Sequence, residues 1–285
     1  MAAPSPDSLD IITSDGVRLA ARLFLPADQP LRAIVLHPAV GVAQDYYARF
    51  AAWLTEAHQA AVLTYDYRDF GASASAHLKA SNASMALWGA VDQDAALTTL
   101  CARFPGLPVW VIGHSHGGMY VPFHAEAERV ERIVTVASGL PYWTRHPLGY
   151  MPQVLAFWWL IGPAATAVLG YLPGKAMGLG ADLPKDVYWQ WRRWCLSPGY
   201  YRRDWGKALP VPDLGRVTCD VTLVSLADDQ MMPPRQVREL ATSYPAARVV
   251  HRTITPAEIG AKAIGHLRLF SERNQKAWPL LFSAT

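Results

Sequence analysis

Cysteine is scarce in this sequence and charge is thin. Only three cysteines occur in 285 residues: Cys101, Cys195 and Cys219. None belongs to a C-x-x-C pair or stands at metal-ligand spacing from a histidine, so neither a disulfide framework nor a metal site is expected. A small, odd set suits a reducing compartment, and a cytoplasmic location is the expectation. The opening Met-Ala-Ala-Pro-Ser-Pro-Asp lacks the basic and apolar segments of a secretory leader. Charged residues are 17% of the chain, and 26 Lys and Arg against 23 Asp and Glu leave a net +3. They form no block and no stripe, so no nucleic-acid partner is expected. A P-loop is missing, and no G-x-G-x-x-G follows an early strand; no organic cofactor is expected either. Internal repeats and low-complexity tracts are also missing, and nothing in the sequence sets an oligomeric state.

One stretch lacks charge altogether. Pro147 to Gly174 holds no Asp, Glu, Lys or Arg and contains Phe157-Trp158-Trp159-Leu160-Ile161. A membrane span needs about 20 apolar residues. Here Pro152, Gly162, Pro163 and Gly170 interrupt the run. Strands of one expected sheet also lie on both sides of it, and a crossing would separate them. The stretch is therefore expected as a lid with no membrane span, with contact to an apolar interface left open.

What the chain does have is apolar residues, 51% of the total, enough to bury a sizeable core. Leu9–Thr13 and Val17–Leu23 flank Ser14-Asp15-Gly16, which predicts a hairpin whose Asp-Gly supplies positive φ angles. Short continuous apolar runs follow: Ala33–Leu36, Ala61–Tyr65, Val109–Ile112, Ile133–Val136, Val221–Val224 and Arg248–Val250. Unbroken runs indicate strands buried on both faces. Helical spacing fills Tyr46–His58 and Met85–Phe104. Strand and helix in repetition predict a mostly parallel, doubly wound α/β sheet behind the N-terminal antiparallel hairpin. The alternation breaks between Leu140 and Leu214, where seven of the eleven tryptophans fall. Residues 140–214 are expected as an inserted helical cap, with residues 1–139 and 215–285 forming the core.

Chemistry concentrates at Gly113-His114-Ser115-His116-Gly117-Gly118, directly after an apolar strand. This is a G-x-S-x-G nucleophile elbow. A turn this tight holds the serine in strained backbone, and side chains at Gly113 or Gly117 would strike neighbouring main chain. A helix is expected next, although Pro122 lies early in it. A serine hydroxyl needs a base, and the base needs an orienting acid. In the chain order Ser, acid, His, the acid falls just past strand Val221–Ser225 and the base near the end. Asp229 is the first choice of acid and Asp228 the second. His266, after Gly265, is the base. His58, His77, His124 and His146 are expected as surface or structural, and His251 within a strand. The oxyanion of the intermediate needs two N–H donors. One is the backbone of His116. The other comes from His37–Gly41, where Pro38 has no N–H: Ala39 is the first choice and Val40 the second. His37, His114, Trp143 and Trp158 are the candidate pocket side chains. The aromatics of the cap serve either pocket or packing.

These residues resemble the α/β-hydrolase superfamily over nearly the whole chain. Tyr65-Asp66-Tyr67-Arg68-Asp69-Phe70-Gly71-Ala72-Ser73 is similar to its D-x-R-G-x-G-x-S loop, with Asp69 where glycine is usual. His37-Pro38 stands where many members have His-Gly. More narrowly, Gly41–Gln44, Tyr142-Trp143, Gly170–Gly174, Leu183–Lys185, Trp194-Cys195 and Asp228–Pro234 resemble bacterial hydrolases labelled serine aminopeptidase-like or lysophospholipase-like. The resemblance implies an α/β-hydrolase fold. The expected function is hydrolysis of an ester, thioester or similar acyl bond of a small, largely apolar substrate through an acyl-serine. Acyl transfer, carbon–carbon cleavage on the same triad, and a non-catalytic binding protein are the alternatives.

Overall fold

The computed structural model describes residues 6–75 and 77–283. The first five residues, which carry most of the leader argument, lie outside that range.

Eight strands form one sheet: β1 (Asp7–Ile12), β2 (Arg18–Phe24), β3 (Arg32–His37), β4 (Ala60–Tyr65), β5 (Val109–His114), β6 (Val130–Val136), β9 (Asp220–Leu226) and β10 (Arg248–Ile254). Their spatial order is β1-β2-β4-β3-β5-β6-β9-β10. The pairs β1/β2 and β2/β4 are antiparallel and every other pair is parallel. β3 and β5 sit near the centre and are almost wholly buried, as their unbroken apolar runs require. The expected doubly wound sheet is present. It lies between two apolar cores, one on each face.

The first turn differs from expectation. Thr13 N–H donates to Val17 and Gly16 N–H to Thr13. Only Gly16 has positive φ, at 82°. This is a three-residue loop closed by a left-handed glycine, and Asp15 is left free to bind elsewhere. Its carboxylate lies 2.6 Å from Arg68, which also reaches Asp92 at 2.7 Å. Burial pushes Asp92 up to about 7 against the opposing pull of Arg68. Asp69 follows Arg68 in the loop after β4. It takes φ 56°, the conformation in which glycine is usual, and Ser75 and Ser81 hydroxyls hold its side chain.

Helix Ala48–His58 follows a 3-10 turn, Gln44–Tyr47. The helix expected over Met85–Phe104 is continuous but carries a π segment, Trp88–Asp92, where Gly89 lies against the Tyr120 ring. After the elbow the expected helix does not form. Short 3-10 turns, Ser115–Gly118 and Val121–Phe123, replace it. Pro122 supplies no N–H to an α-helical ladder, which accounts for the break.

Between β6 and β9 the chain leaves the sheet. It forms helix Leu148–Leu169, which includes a π segment at Ala156–Ile161, and helix Lys185–Cys195. Two short strands pair between them, β7 (Tyr171–Leu172) and β8 (Leu183–Pro184), where no strand was expected. Leu148–Leu169 is the one helix among the described residues long and apolar enough to cross a membrane. β6 precedes it and β9 follows, and these strands pair with each other.

Candidate active site

The strand β5 delivers Ser115 to the carboxyl edge of the sheet. Ser115 has φ 52°, a left-handed angle that ordinary side chains avoid. A Cβ on Gly113 would lie 2.3 Å from Gly118 Cα, and one on Gly117 would lie 2.1 Å from the His37 carbonyl oxygen. Only glycine allows the turn to close.

Three side chains from distant parts of the sequence meet there. His266 Nε2 lies 2.9 Å from Ser115 Oγ. His266 Nδ1 lies 2.7 Å from Asp229 Oδ2. A carboxylate only accepts, so Nδ1 carries the hydrogen and Nε2 is free to accept the serine proton. Asp229 Oδ1 accepts the N–H groups of Met231 and Met232, both at 2.9 Å. Burial pushes the Asp229 carboxyl up. The adjoining His266 imidazole and these hydrogen bonds outweigh burial and hold it below its ordinary value. Asp228 is engaged differently. Its carboxylate accepts the N–H groups of Ile264, at 2.8 Å, and Gly265, at 3.1 Å. It shapes the loop that bears His266 and does not meet the imidazole.

The donor candidates separate in the same way. Ala39 N–H donates to Tyr47 Oη at 3.0 Å and is buried away from the cavity. It is therefore committed, contrary to its place as first choice. Val40 lines the cavity, and its N–H has no partner among the described residues. His116 N–H lies in the first turn after the elbow, where helical N–H groups have no internal acceptor.

A cavity of about 420 Å³ opens over Ser115. Five of the seven methionines line it: Met85, Met119, Met177, Met231 and Met232. No Asp, Glu, Lys or Arg does. Of the four candidate pocket side chains, Trp158 lines it and His37, His114 and Trp143 do not. His37 is buried below, 2.8 Å from Tyr65 Oη. His114 is buried behind the elbow. Trp143 packs edge-on against Trp159, with ring centroids 4.8 Å apart. His146, expected as surface or structural, is in the lining, where its Nδ1 donates to the Gln230 carbonyl at 3.0 Å. His116 is also in the lining, and its ring packs against Tyr67, Trp88 and Tyr120. Burial pushes it down to about 3, so it is neutral, and neither ring nitrogen has a partner among the described residues.

The comparisons agree with this architecture. A soluble variant of the monoglyceride lipase from Saccharomyces cerevisiae, in complex with a substrate analogue, superposes with a TM-score of 0.65 at 13% identity, covering 98% of this chain and 95% of that one. An esterase from Pyrococcus furiosus gives 0.62 at 13%, covering 97% and 88%. The enol-lactonase from Burkholderia xenovorans gives 0.57 at 18%, covering 96% and 98%. At these identities the likeness is one of fold. No curated protein matches the sequence. The sequence pattern of the Alpha/beta hydrolase family matches residues 33–274, and the chain belongs to that family.

Proposed function

We propose that the protein is a serine hydrolase that cleaves an ester, thioester or similar acyl bond of a largely apolar substrate. The unbroken succession of Asp229, His266 and Ser115, at 2.7 and 2.9 Å, carries this reading. Ser115 Oγ attacks the acyl carbon while His266 Nε2 takes its proton. The electron pair displaced onto the carbonyl oxygen is held by the N–H groups of His116 and Val40. Collapse breaks the bond to the alcohol or thiol, which leaves with the proton from His266. Water then attacks the acyl-serine, giving its proton to His266. The acid departs and Ser115 recovers its hydrogen. Asp229 keeps the imidazole in the required tautomer and steadies its transient positive charge.

The substrate class follows from the lining. Methionine side chains are flexible and adapt to varied apolar shapes. A wall without ionised groups disfavours a charged acyl part. Residues 140–214 act as the cap in this scheme, since they supply most of that wall. The three cysteines are free, which fits a cytoplasmic setting.

The outer face of helix Leu148–Leu169 fits a lipid surface. Leu148, Leu160 and Val168 are 89%, 68% and 83% exposed. Ile161 is both half exposed and part of the cavity lining, so the apolar strip runs to the cavity mouth. A strip one helix long and one face wide, roughly 30 by 10 Å, falls short of the ~800 Å² per partner that a stable dimer buries. A bilayer surface sets no such minimum.

A fluorophosphonate probe with mass mapping tests the central reading. The expected label is on Ser115. A folded protein with an unlabelled Ser115 and no hydrolysis of aliphatic esters overturns it.

A further inference from the structure

The hydrogen bonds around His114 form a directed chain that the reaction steps above do not use. His114 closes β5, one residue before Ser115. Its Nε2 lies 3.0 Å from the backbone oxygen of His266. Its Nδ1 lies 2.8 Å from Tyr47 Oη. Tyr47 Oη also receives Ala39 N–H, at 3.0 Å.

Every proton in the chain has one place. The His266 carbonyl only accepts, so His114 Nε2 bears the hydrogen. Burial, with the nearby His266 imidazole, pushes His114 down to about 3, so its ring is neutral and Nδ1 is bare. The Tyr47 hydroxyl must then donate to Nδ1, and its lone pair takes Ala39 N–H. The order is Ala39 N–H to Tyr47, Tyr47 O–H to His114, His114 N–H to the His266 carbonyl. Ala39, Tyr47 and His114 are at most 1% exposed, so water does not compete for these bonds. Reversing the Tyr47–His114 link would move the ring hydrogen to Nδ1 and leave the bare Nε2 facing the His266 carbonyl, a buried acceptor against an acceptor.

We infer that Tyr47 and His114 are positioning residues that tie the oxyanion loop to the His266 loop and hold both in register on Ser115. This rests on the hydrolase reading above. At one end, Tyr47 draws Ala39 N–H away from the cavity and leaves Val40 N–H as the donor beside it. At the other end, the His266 main chain is fixed from the residue next to the nucleophile. Two further ties hold the same loop: Asp228 on Ile264 and Gly265, and the Tyr46 hydroxyl on the Leu267 carbonyl. The base is thus located against the strand that carries its partner, and the oxyanion loop against the same ring.

Amide variants divide the chain at its middle. His114→Gln keeps a donor near Nε2 and loses the link to Tyr47. His114→Asn keeps an acceptor near Nδ1 and loses the link to the His266 carbonyl. With an aliphatic nitrophenyl ester, each variant breaks one link of the tie and each is expected to lose about tenfold in kcat at unchanged KM. Tyr47→Phe, which frees Ala39 N–H, is expected to lose about tenfold in kcat. A kcat within about threefold of the parent in either folded His114 variant, or a change confined to KM, overturns the inference. Thermal melts identify any variant that fails to fold, and a second measurement then decides. In the ¹⁵N-labelled parent protein, His114 is expected as the Nε2–H tautomer, still neutral at pH 5. The Nδ1–H form overturns the chain whatever the kinetics. The expected tautomer in a protein whose Ser115 takes no fluorophosphonate overturns the hydrolase reading, and leaves the chain of bonds standing.

Discussion

The rim of the sheet around Ser115 and the wall that faces it from residues 140–214 are built on opposite terms. At the rim Asp229, His266, Asp228 and His114 each have assigned polar partners, although both His116 ring nitrogens have none among the described residues. Asp229 spends one oxygen on two N–H groups and the other on His266. The backbone is strained where the chemistry is proposed, at Ser115. The facing wall is apolar, its Met177, Phe157 and Trp158 touching the cavity without a fixed polar geometry. Its outer surface exposes leucine and valine where the rim exposes little. Hydrogen bonds have direction and fix atoms to tenths of an ångström, whereas apolar contact has area and tolerates change. Precision and tolerance are thereby assigned to different lengths of chain.

The contrast predicts unequal damage. Ser115→Ala should lower kcat on an aliphatic ester by on the order of 10⁵-fold or more, read from initial rates. A much smaller loss means that another group attacks. Asp229→Asn should cost about 10⁴-fold, because the imidazole loses its orienting acceptor. Asp228→Asn should cost about tenfold or less, through the loop alone. If Asp228→Asn is the slower of the two, the roles of these neighbours are reversed. On the facing wall, Met177→Trp should lose about tenfold in kcat/KM on a decanoyl ester and almost nothing on an acetyl ester. An equal loss on both would place Met177 outside the acyl path.

Leu160→Glu with Val168→Glu should abolish cosedimentation with anionic phospholipid vesicles while hydrolysis of a dissolved short ester is unchanged. A parent protein that ignores vesicles but dimerises through this helix contradicts the lipid assignment. The smallest effect concerns acid. His114 and His116 are pushed by burial down to about 3, whereas a solvated imidazole titrates at 6.5. The unfolded chain therefore binds more protons between these values, and stability falls as pH drops from 6.5 towards 3. Each ring contributes roughly 1 kcal/mol per pH unit inside that window. Urea midpoints at pH 7 and pH 5 check this, and a midpoint indifferent to pH rules it out.

The sequence made some of this legible and hid the rest for physical reasons. The parallel strands were readable because burial on both faces leaves an unbroken apolar run, as in Ala33–Leu36 and Val109–Ile112. The elbow was readable because its glycines are required by contact with main chain. The missing helix after it was signalled by Pro122, whose effect spacing alone understated. Ala39 could not be told from Val40, because an N–H leaves no trace of whether a side chain has taken it. Tyr47 sits 67 positions before His114, in a 3-10 turn among other aromatics, and nothing in its neighbourhood marks the bond they share. His146 and the five methionines are brought to the cavity by chain paths that no local pattern encodes.

At Gly117 the Cα hydrogen takes the place of a side chain, and the space it leaves has a consequence for the whole rim. With the His37 carbonyl so near, the elbow and the end of β3 rest on one another through bare backbone. The gap between the two proposed oxyanion donors is thereby gauged by the thinnest spacer the amino acids provide. Any replacement can only widen it, so the spacing has a hard lower stop and drift in one direction alone. A methyl group there would pry the donors apart before it disturbed any side chain of the triad.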